Sequence, residues 1–381
     1  MKYLVLGAGM MGGAIASDLA QSSNVDQVTI ADCDLRRAES VAAQTKSTKV
    51  RPLQLDVNDF ADVVTAMREN VAVVGAISYR YNVSLSKAAI EAGVHYCDLG
   101  GNDDVTKEQL KLDRQASKRG IAVVPNCGLA PGLANILGAR GAEMFEVVDT
   151  IRMRVGGLPQ KPIPPFNYQI VFSPEGLLNE YSGKSTVIRN YERIQVDTLS
   201  EIETIEFPAP FGTLEAFHTS GGASMTPEMF EGKVRELDYK TIRYPGHCEK
   251  FRTLLEIGFG SDEPLSLGSN VLTEREFFIE LLKRKLPQSG HDVVLLRVTI
   301  DGARPGKQQH LAFTMIDFYH ETRNISAMMR GTAYPTSIIA QFLAEGIISK
   351  RGCFTPERWV PLKPLLAELN KRGMNISREW S

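Results

Sequence analysis

Along the first 125 residues, short apolar runs alternate with longer stretches whose apolar positions recur at helical spacing. Tyr3-Leu4-Val5-Leu6, Val28-Thr29-Ile30 and the runs at 50–55, 71–77, 95–98 and 121–124 read as strands. The 71–77 run is apolar without a break, as a parallel strand covered on both faces must be. Between the runs the pattern predicts helices over about 11–20, 35–44, 60–69, 85–92 and 105–119. Such alternation builds an α/β fold around a doubly wound parallel sheet of about six strands.

Past Pro125 this pattern breaks down. The turn from Asn126 to Gly132 enters a helix with Pro131 near its first position, where the missing N–H costs nothing. From Asp149 onward, alternating strands are expected at 150–155, 193–197, 202–207, 214–218, 238–244, 293–300 and 309–319. Helices near 175–181, 248–257 and 274–285 and a linker-like 159–165 lie among them. This mixture predicts an α+β domain with one antiparallel or mixed sheet, inserted after the parallel unit. The amphipathic stretches 335–345 and 362–371 are expected to pack back on the first domain. The expected boundaries are 1–125, 126–325 and 326–381.

The turn after the first strand carries the clearest chemistry. Gly7-Ala8-Gly9-Met10-Met11-Gly12 is a GxGxxG turn between a strand and a helix, and Asp32 ends the next strand twenty residues after Gly12. Gly7 permits the tight turn, Gly9 lets backbone approach a pyrophosphate, and Gly12 lets the helix pack close to the strand. The carboxylate of Asp32 suits a ribose 2′-hydroxyl and repels a 2′-phosphate, so NAD is expected over NADP, with Arg36 and Arg37 as the competing signal. Cofactor contacts are placed at Gly7, Gly9, Met10, Met11, Gly12 and Asp32, and at the strand ends Asp56, Val57, Ala76 and Ile77.

Composition narrows the remaining choices. The chain has 381 residues, 43% apolar and 23% charged, with a formal charge of −2, which suggests neither disorder nor a nucleic-acid surface. The absence of an apolar leader or a membrane-length run predicts a soluble, cytosolic protein without membrane contacts. Five widely spaced cysteines read as reduced thiols, and the lack of CxxC or HExxH spacing predicts no metal site.

Further site candidates follow from their positions. Tyr79 and Arg80 follow a buried parallel strand, where the nicotinamide end of a cofactor belongs, and aromatic packing explains them as well. Asp98 ends the next strand and suits either a substrate amine or a helix cap. Arg243 and His247 flank Tyr244-Pro245-Gly246 at one corner, where a guanidinium suits a substrate carboxylate and an imidazole suits proton transfer. A solvated surface turn accounts for the same residues. Gly221 and Gly222 offer backbone N–H groups to a carboxylate, or simply a flexible loop.

Taken together, the residues resemble the saccharopine dehydrogenase family, and within it the bacterial lysine 6-dehydrogenases. The resemblance is carried by the glycine turn, Tyr96-Cys97-Asp98-Leu99-Gly100-Gly101, Asn126-Cys127-Gly128-Leu129-Ala130-Pro131-Gly132, Ile242-Arg243-Tyr244-Pro245-Gly246-His247, and Thr332-Ala333-Tyr334-Pro335-Thr336-Ser337-Ile338-Ile339-Ala340. It implies a Rossmann domain, a substrate domain that also makes homo-oligomer contacts, and a C-terminal return to the Rossmann unit. It also implies hydride transfer at a carbon bearing nitrogen, and it raises Arg243 and His247 to site residues without fixing their individual roles. The expected site has His247 and Tyr79 at the reacting end and Arg243, Arg80, Asp98, Tyr244, Gly221 and Gly222 around an amino-acid substrate. The expected reaction is NAD-dependent oxidation of L-lysine at its ε-carbon to 2-aminoadipate 6-semialdehyde, which cyclises to a piperideine carboxylate. Two alternatives stay open: an imine reductase like saccharopine reductase or carboxynorspermidine dehydrogenase, and a non-catalytic nucleotide sensor.

Overall fold

Six early strands form where the apolar runs lie: β1 Lys2–Leu6, β2 Gln27–Asp32, β3 Val50–Gln54, β4 Ala72–Gly75, β5 His95–Asp98 and β6 Ala122–Val124. In this computed structural model, which describes residues 1–268, 270–287 and 290–381, they pair in parallel in the order β6-β5-β4-β1-β2-β3. A seventh strand, Gly352–Cys353, adds to the β6 edge; two residues are too short to leave a periodic signature. The strand order reverses beside β1, and ligands of such sheets bind at the carboxyl ends of the strands there. The stretch expected as one helix over 105–119 is two, Asp103–Leu110 and Asp113–Arg119, with Leu112 buried at the break.

The chain divides into two units, Met1–Gly141 with Met329–Asn375, and Ala142–Met328 with Ile376–Ser381. The first thus runs past Pro125 to include the helix Leu133–Ala142 almost whole. Its two segments are held by buried polar contacts. Ser337 Oγ donates to Asp18 at 2.6 Å, Arg372 Nε donates to the same carboxylate at 2.8 Å, and Thr336 Oγ1 donates to the Cys127 carbonyl at 2.8 Å. A carboxylate buried beneath a helix is tolerable because it is paired and hydrogen-bonded.

The second unit is built on a mixed sheet. Its strands are β7 Val147–Pro159, β8 Lys184–Arg189, β9 Glu192–Asp197, β10 Glu203–Phe207, β11 Gly212–His218 and β12 Glu236–Arg243. A separate hairpin, β13 Pro264–Leu267 with β14 Asn270–Thr273, precedes the long strands β15 Asp292–Arg304 and β16 Lys307–Phe318. The order is β10-β11-β12-β7-β15-β16, with Ser377–Trp380 on the β16 edge and β8 bridging β12 and β9. Among the described residues β12 and β7 pair in parallel, and the other pairings of this sheet are antiparallel.

Strand β12 is the axis of this unit because its two faces have opposite chemistry. Asp238 and Lys240 point into an ion network: Arg154 holds Asp238 at 2.6 Å and pairs with Glu203, Arg189 reaches Asp238 at 3.1 Å, and Lys240 reaches Glu203 at 3.0 Å. Burial opposes the Asp238 charge, but Arg154 and its neighbours prevail and hold its pKa at about 2. Alternation by two places Tyr239, Thr241 and Arg243 on the other face. There Thr241 meets the Thr219 hydroxyl at 2.7 Å, and Gly222 lies so close that a Cβ on it would come within 2.2 Å of the Tyr239 ring.

Candidate active site

In the first unit, the glycine turn has the geometry a dinucleotide requires. Gly7 has φ of +105°, and a Cβ there would strike Ile77 Cγ2 at 2.5 Å and the Ala76 carbonyl at 2.6 Å. A Cβ on Gly12 would lie 1.8 Å from the Gly7 carbonyl oxygen, so this glycine sets the spacing of helix and strand. Gly9 differs, with no atom within 4 Å of where its Cβ would be. It caps the helix Met10–Gln21, whose first N–H groups lack carbonyl partners within the helix, and Met10 is exposed there with Met11 half-buried behind it. Open space at a helix N-terminus over a glycine is a cradle for phosphate.

Asp32 closes the other side of the turn. Its carboxylate accepts from the N–H of Ala8 at 2.8 Å and of Asp34 at 3.0 Å. Burial works against the charge, but these donors hold the carboxyl below the usual carboxylate range. Arg36 and Arg37 are exposed on the following helix, with Arg37 3.8 Å from Asp34. Asp56 is exposed and accepts from Asn58 N–H at 2.9 Å in a local turn, while Val57 packs against the core beneath. Tyr79 lies half-buried in a short 3₁₀ turn, Tyr79–Tyr81, against Gly101, where a Cβ would come within 3.2 Å of its ring; Arg80 beside it is exposed.

Asp98 is not placed to meet a substrate amine. One carboxylate oxygen accepts from Gly100 N–H at 2.8 Å and Asn126 N–H at 3.4 Å, and the other from Gln109 Nε2 at 2.7 Å. Burial nevertheless raises its pKa to about 6. It ties together the loops after β5 and β6, and the cap of the following helix is Asn102 instead.

In the second unit, the Arg243 corner is enclosed where a surface turn would be solvated. The guanidinium lies over the ring of Tyr168, 5.0 Å from its centroid, and 5.9 Å from that of Tyr181. Its Nε donates to the Tyr181 hydroxyl at 2.9 Å and Nη1 to the Ile242 carbonyl at 2.9 Å. No carboxylate of a described residue comes within 4.0 Å of it. A buried cation without an ion-pair partner is costly, and an anion reaching this guanidinium would offset that cost.

His247, expected at the reacting end as a group suited to proton transfer, has both ring nitrogens occupied within the protein. The ring is fully buried among Phe166, Tyr168, Tyr181, Phe217 and Phe251. Nδ1 lies 2.9 Å from the Phe166 carbonyl, which only accepts, so Nδ1 carries the proton and Nε2 accepts from the Tyr181 hydroxyl at 2.9 Å. Burial, with Arg243 nearby, holds its pKa well below the ordinary histidine value. With both nitrogens engaged, His247 holds the Tyr181 hydroxyl in place. Tyr244 likewise serves structure, since its hydroxyl donates to the Pro159 carbonyl at 3.1 Å. Gly221 is open with φ of +81°, whereas Gly222 is packed on Tyr239; the loop is pinned by Ser220, whose N–H donates to the Glu180 carbonyl at 2.8 Å.

The sequence did not point to Tyr168, Glu180 or Tyr181, which the fold brings to Arg243 from a loop and a helix end. One signal existed. Glu180 closes the helix Pro174–Glu180, and an acid in a last turn opposes the helix dipole.

The glycine turn at the switch point of a doubly wound sheet is that of a dinucleotide-binding oxidoreductase, and the second unit encloses a guanidinium. Two family models match in succession: the saccharopine dehydrogenase NADP binding domain over residues 3–124 and the saccharopine dehydrogenase C-terminal domain over 128–374. The chain belongs to the saccharopine dehydrogenase family, whose members act on amino-acid and imine substrates with a nicotinamide nucleotide. It is 20% identical to the saccharopine dehydrogenase [NADP(+), L-glutamate-forming] of Schizosaccharomyces pombe, over 99% of this chain and 98% of that protein. It is 23% identical to the carboxyaminopropylagmatine dehydrogenase of Synechocystis, over 54% of each. The fold matches the apo saccharopine dehydrogenase (L-Glu forming) of Saccharomyces cerevisiae at a TM-score of 0.80, with 18% identity, over 100% of this chain and 99% of that one. No described helix is long and apolar enough to cross a membrane.

Proposed function

We propose that this protein oxidises L-lysine at its ε-carbon with NAD, giving 2-aminoadipate 6-semialdehyde, which cyclises to a piperideine carboxylate. The observation that carries the substrate class is Arg243, a buried guanidinium with no carboxylate partner among the described residues, aligned by Tyr181 and Tyr168. It suits the α-carboxylate of an amino acid, with Nη2 left for the ligand. Gly7, Gly9, Gly12 and Asp32 suit the dinucleotide, and the ionised Asp32 favours a free ribose hydroxyl, hence NAD. The bound nicotinamide supplies a two-electron hydride acceptor. The substrate C–H bond breaks as the neutral ε-amine gives its lone pair to a C=N bond; one proton leaves beforehand, and water then replaces ammonia at the carbon.

The relatives, a saccharopine dehydrogenase that uses NADP and a carboxyaminopropylagmatine dehydrogenase, favour a second reading, reduction with NADPH of an imine formed between an amino acid and an aldehyde. Absorbance of reduced nicotinamide separates the two. Formation of NADH from lysine supports the first reading. Its absence with either cofactor, together with NADPH consumption by an imine pair, replaces it with the second.

A further inference from the structure

The Arg243 pocket contains a second charged group, of opposite sign. Glu180 ends the helix Pro174–Glu180, immediately before Tyr181. It is half-buried, and its carboxylate makes no hydrogen bond or ion pair with any described residue. The helix end that carries it is tied at its carbonyl to Ser220 N–H at 2.8 Å, the same loop packs through Gly222 on Tyr239 of the β12 face that bears Arg243, and the next residue, Tyr181, accepts from Arg243 Nε at 2.9 Å; Glu180 and Arg243 thus act on each other electrostatically. Arg243 and Glu180 do not pair, since no carboxylate oxygen lies within 4.0 Å of the guanidinium.

Two opposite charges held beside one strand face without touching form an unusual arrangement. Had the pocket served only stability, direct pairing would lower the cost of burying both. Each is instead held off by its own surroundings: Arg243 by Tyr181 and the Ile242 carbonyl, and Glu180 by a helix end whose backbone carbonyl is fixed by Ser220 N–H. Two separated opposite charges complement a molecule bearing both signs a few ångströms apart. An α-amino acid, with its carboxylate and ammonium on one carbon, is such a molecule.

We infer that Glu180 receives the α-ammonium of the substrate while Arg243 takes its α-carboxylate, so that the second unit selects zwitterionic α-amino acids over carboxylic acids of the same length. The inference rests on the proposed amino-acid substrate and adds to it the group that enforces the α-amino requirement. Glu180 is also poised for the task. Burial raises its pKa to about 7 against the pull of Arg243, so the carboxylate lacks the compensation that a bound ammonium would provide.

The test uses ligands that cannot be oxidised at an ε-nitrogen. Binding of L-norleucine and of hexanoate to the NAD-loaded protein is measured by titration calorimetry at pH 8, for the wild type and for Glu180→Gln and Glu180→Asp. The wild type is expected to bind norleucine at least tenfold tighter than hexanoate. Glu180→Gln should abolish that gap while leaving hexanoate affinity within about twofold, and Glu180→Asp should restore part of it. Circular dichroism of each variant separates loss of the gap from loss of fold. Equal affinities in the wild type, an undiminished gap in Glu180→Gln, or no binding of either ligand overturns the inference. A preserved gap in a protein that forms no NADH from lysine would refute the lysine reaction and leave the role of Glu180 standing.

Discussion

The Tyr181 hydroxyl donates to His247 Nε2 across 2.9 Å, and this bond, with Nδ1 committed to the Phe166 carbonyl, fixes His247 as a neutral ring. The same hydroxyl accepts from Arg243 Nε, so the guanidinium is aimed by a relay running through a tyrosine to a histidine. Replacing His247 by Ala should therefore weaken amino-acid binding more than it slows the chemical step. A rise in KM for lysine of about tenfold or more is expected, with nucleotide affinity unchanged in a fluorescence titration. A loss confined to kcat would return His247 to the role of proton acceptor.

Arg243→Lys keeps the charge and loses the fork. An ammonium cannot make the parallel bonds of a guanidinium or hold the Tyr181 hydroxyl at the same angle. With a charged hydrogen bond worth about 2 kcal/mol, kcat/KM with lysine should fall roughly thirtyfold. Steady-state kinetics at saturating NAD checks this, and a variant of wild-type efficiency would place the substrate carboxylate elsewhere.

The glycine turn gives a paired expectation. Gly9→Ala meets no atom within 4 Å, so its melting temperature should match the wild type while NAD affinity drops at least tenfold. Gly12→Ala puts a methyl 1.8 Å from the Gly7 carbonyl and should destabilise the first unit itself. Thermal melts with and without NAD distinguish the two. For the ribose, Asp32→Ser should narrow or reverse the preference for NAD over NADP, because the carboxylate that repels a 2′-phosphate is gone while Arg36 and Arg37 remain.

The dependence of activity on pH should have two sources. Free lysine loses its ε-proton near pH 10.4, so kcat/KM should rise from pH 7 toward 9. Below about pH 7, Glu180 is protonated and loses its attraction for an ammonium, so activity should fall more steeply on the acid side in the wild type than in Glu180→Gln. No inflection belonging to His247 is expected near 6.5, since its burial keeps it neutral. Such an inflection, abolished by His247→Ala, would refute its assignment.

Asp98 provides a test of stability. Burial raises its pKa from 3.8 to about 6, so the folded state holds that proton more tightly than the unfolded chain. The stabilisation from this linkage is complete below pH 3.8 and is lost as pH rises through about 6. Asp98→Asn removes the titration, so its destabilisation, measured by denaturant melts, should be larger at pH 4 than at pH 8. An equal cost at both would mean that Asp98 titrates normally.

Much of the first unit was legible because its signals are local. A strand buried on both faces writes itself as an unbroken apolar run at residues 72–75, and the turn Gly7 to Gly12 requires glycine where backbone meets backbone. The strand Gly352–Cys353 was invisible, being two residues whose pairing is decided by β6. β8 was missed because Lys184–Arg189 mixes charge with apolar residues on an edge shared with β9. The second-unit site was legible only in part. Arg243 and His247 stood out at a strand end, but their neighbours Tyr168, Glu180 and Tyr181 lie more than sixty residues upstream, and no spacing rule links them. Asp98 and Tyr244 show the reverse: both occupy positions suited to ligands, and hydrogen bonds to the protein's own backbone absorb them.

The alternation of the chain between its units has a consequence for synthesis. Residues 1–141 begin one unit, 142–328 make most of the other, 329–375 return to the first, and 376–381 finish the second. Neither sheet has its full set of strands until Gly352–Cys353 and Ser377–Trp380 have left the ribosome. Until then the edges of β6 and β16 carry unpaired N–H and carbonyl groups, the feature that invites pairing with other chains. A nascent chain of this protein therefore remains open to misassembly until both of these late edge strands have been made.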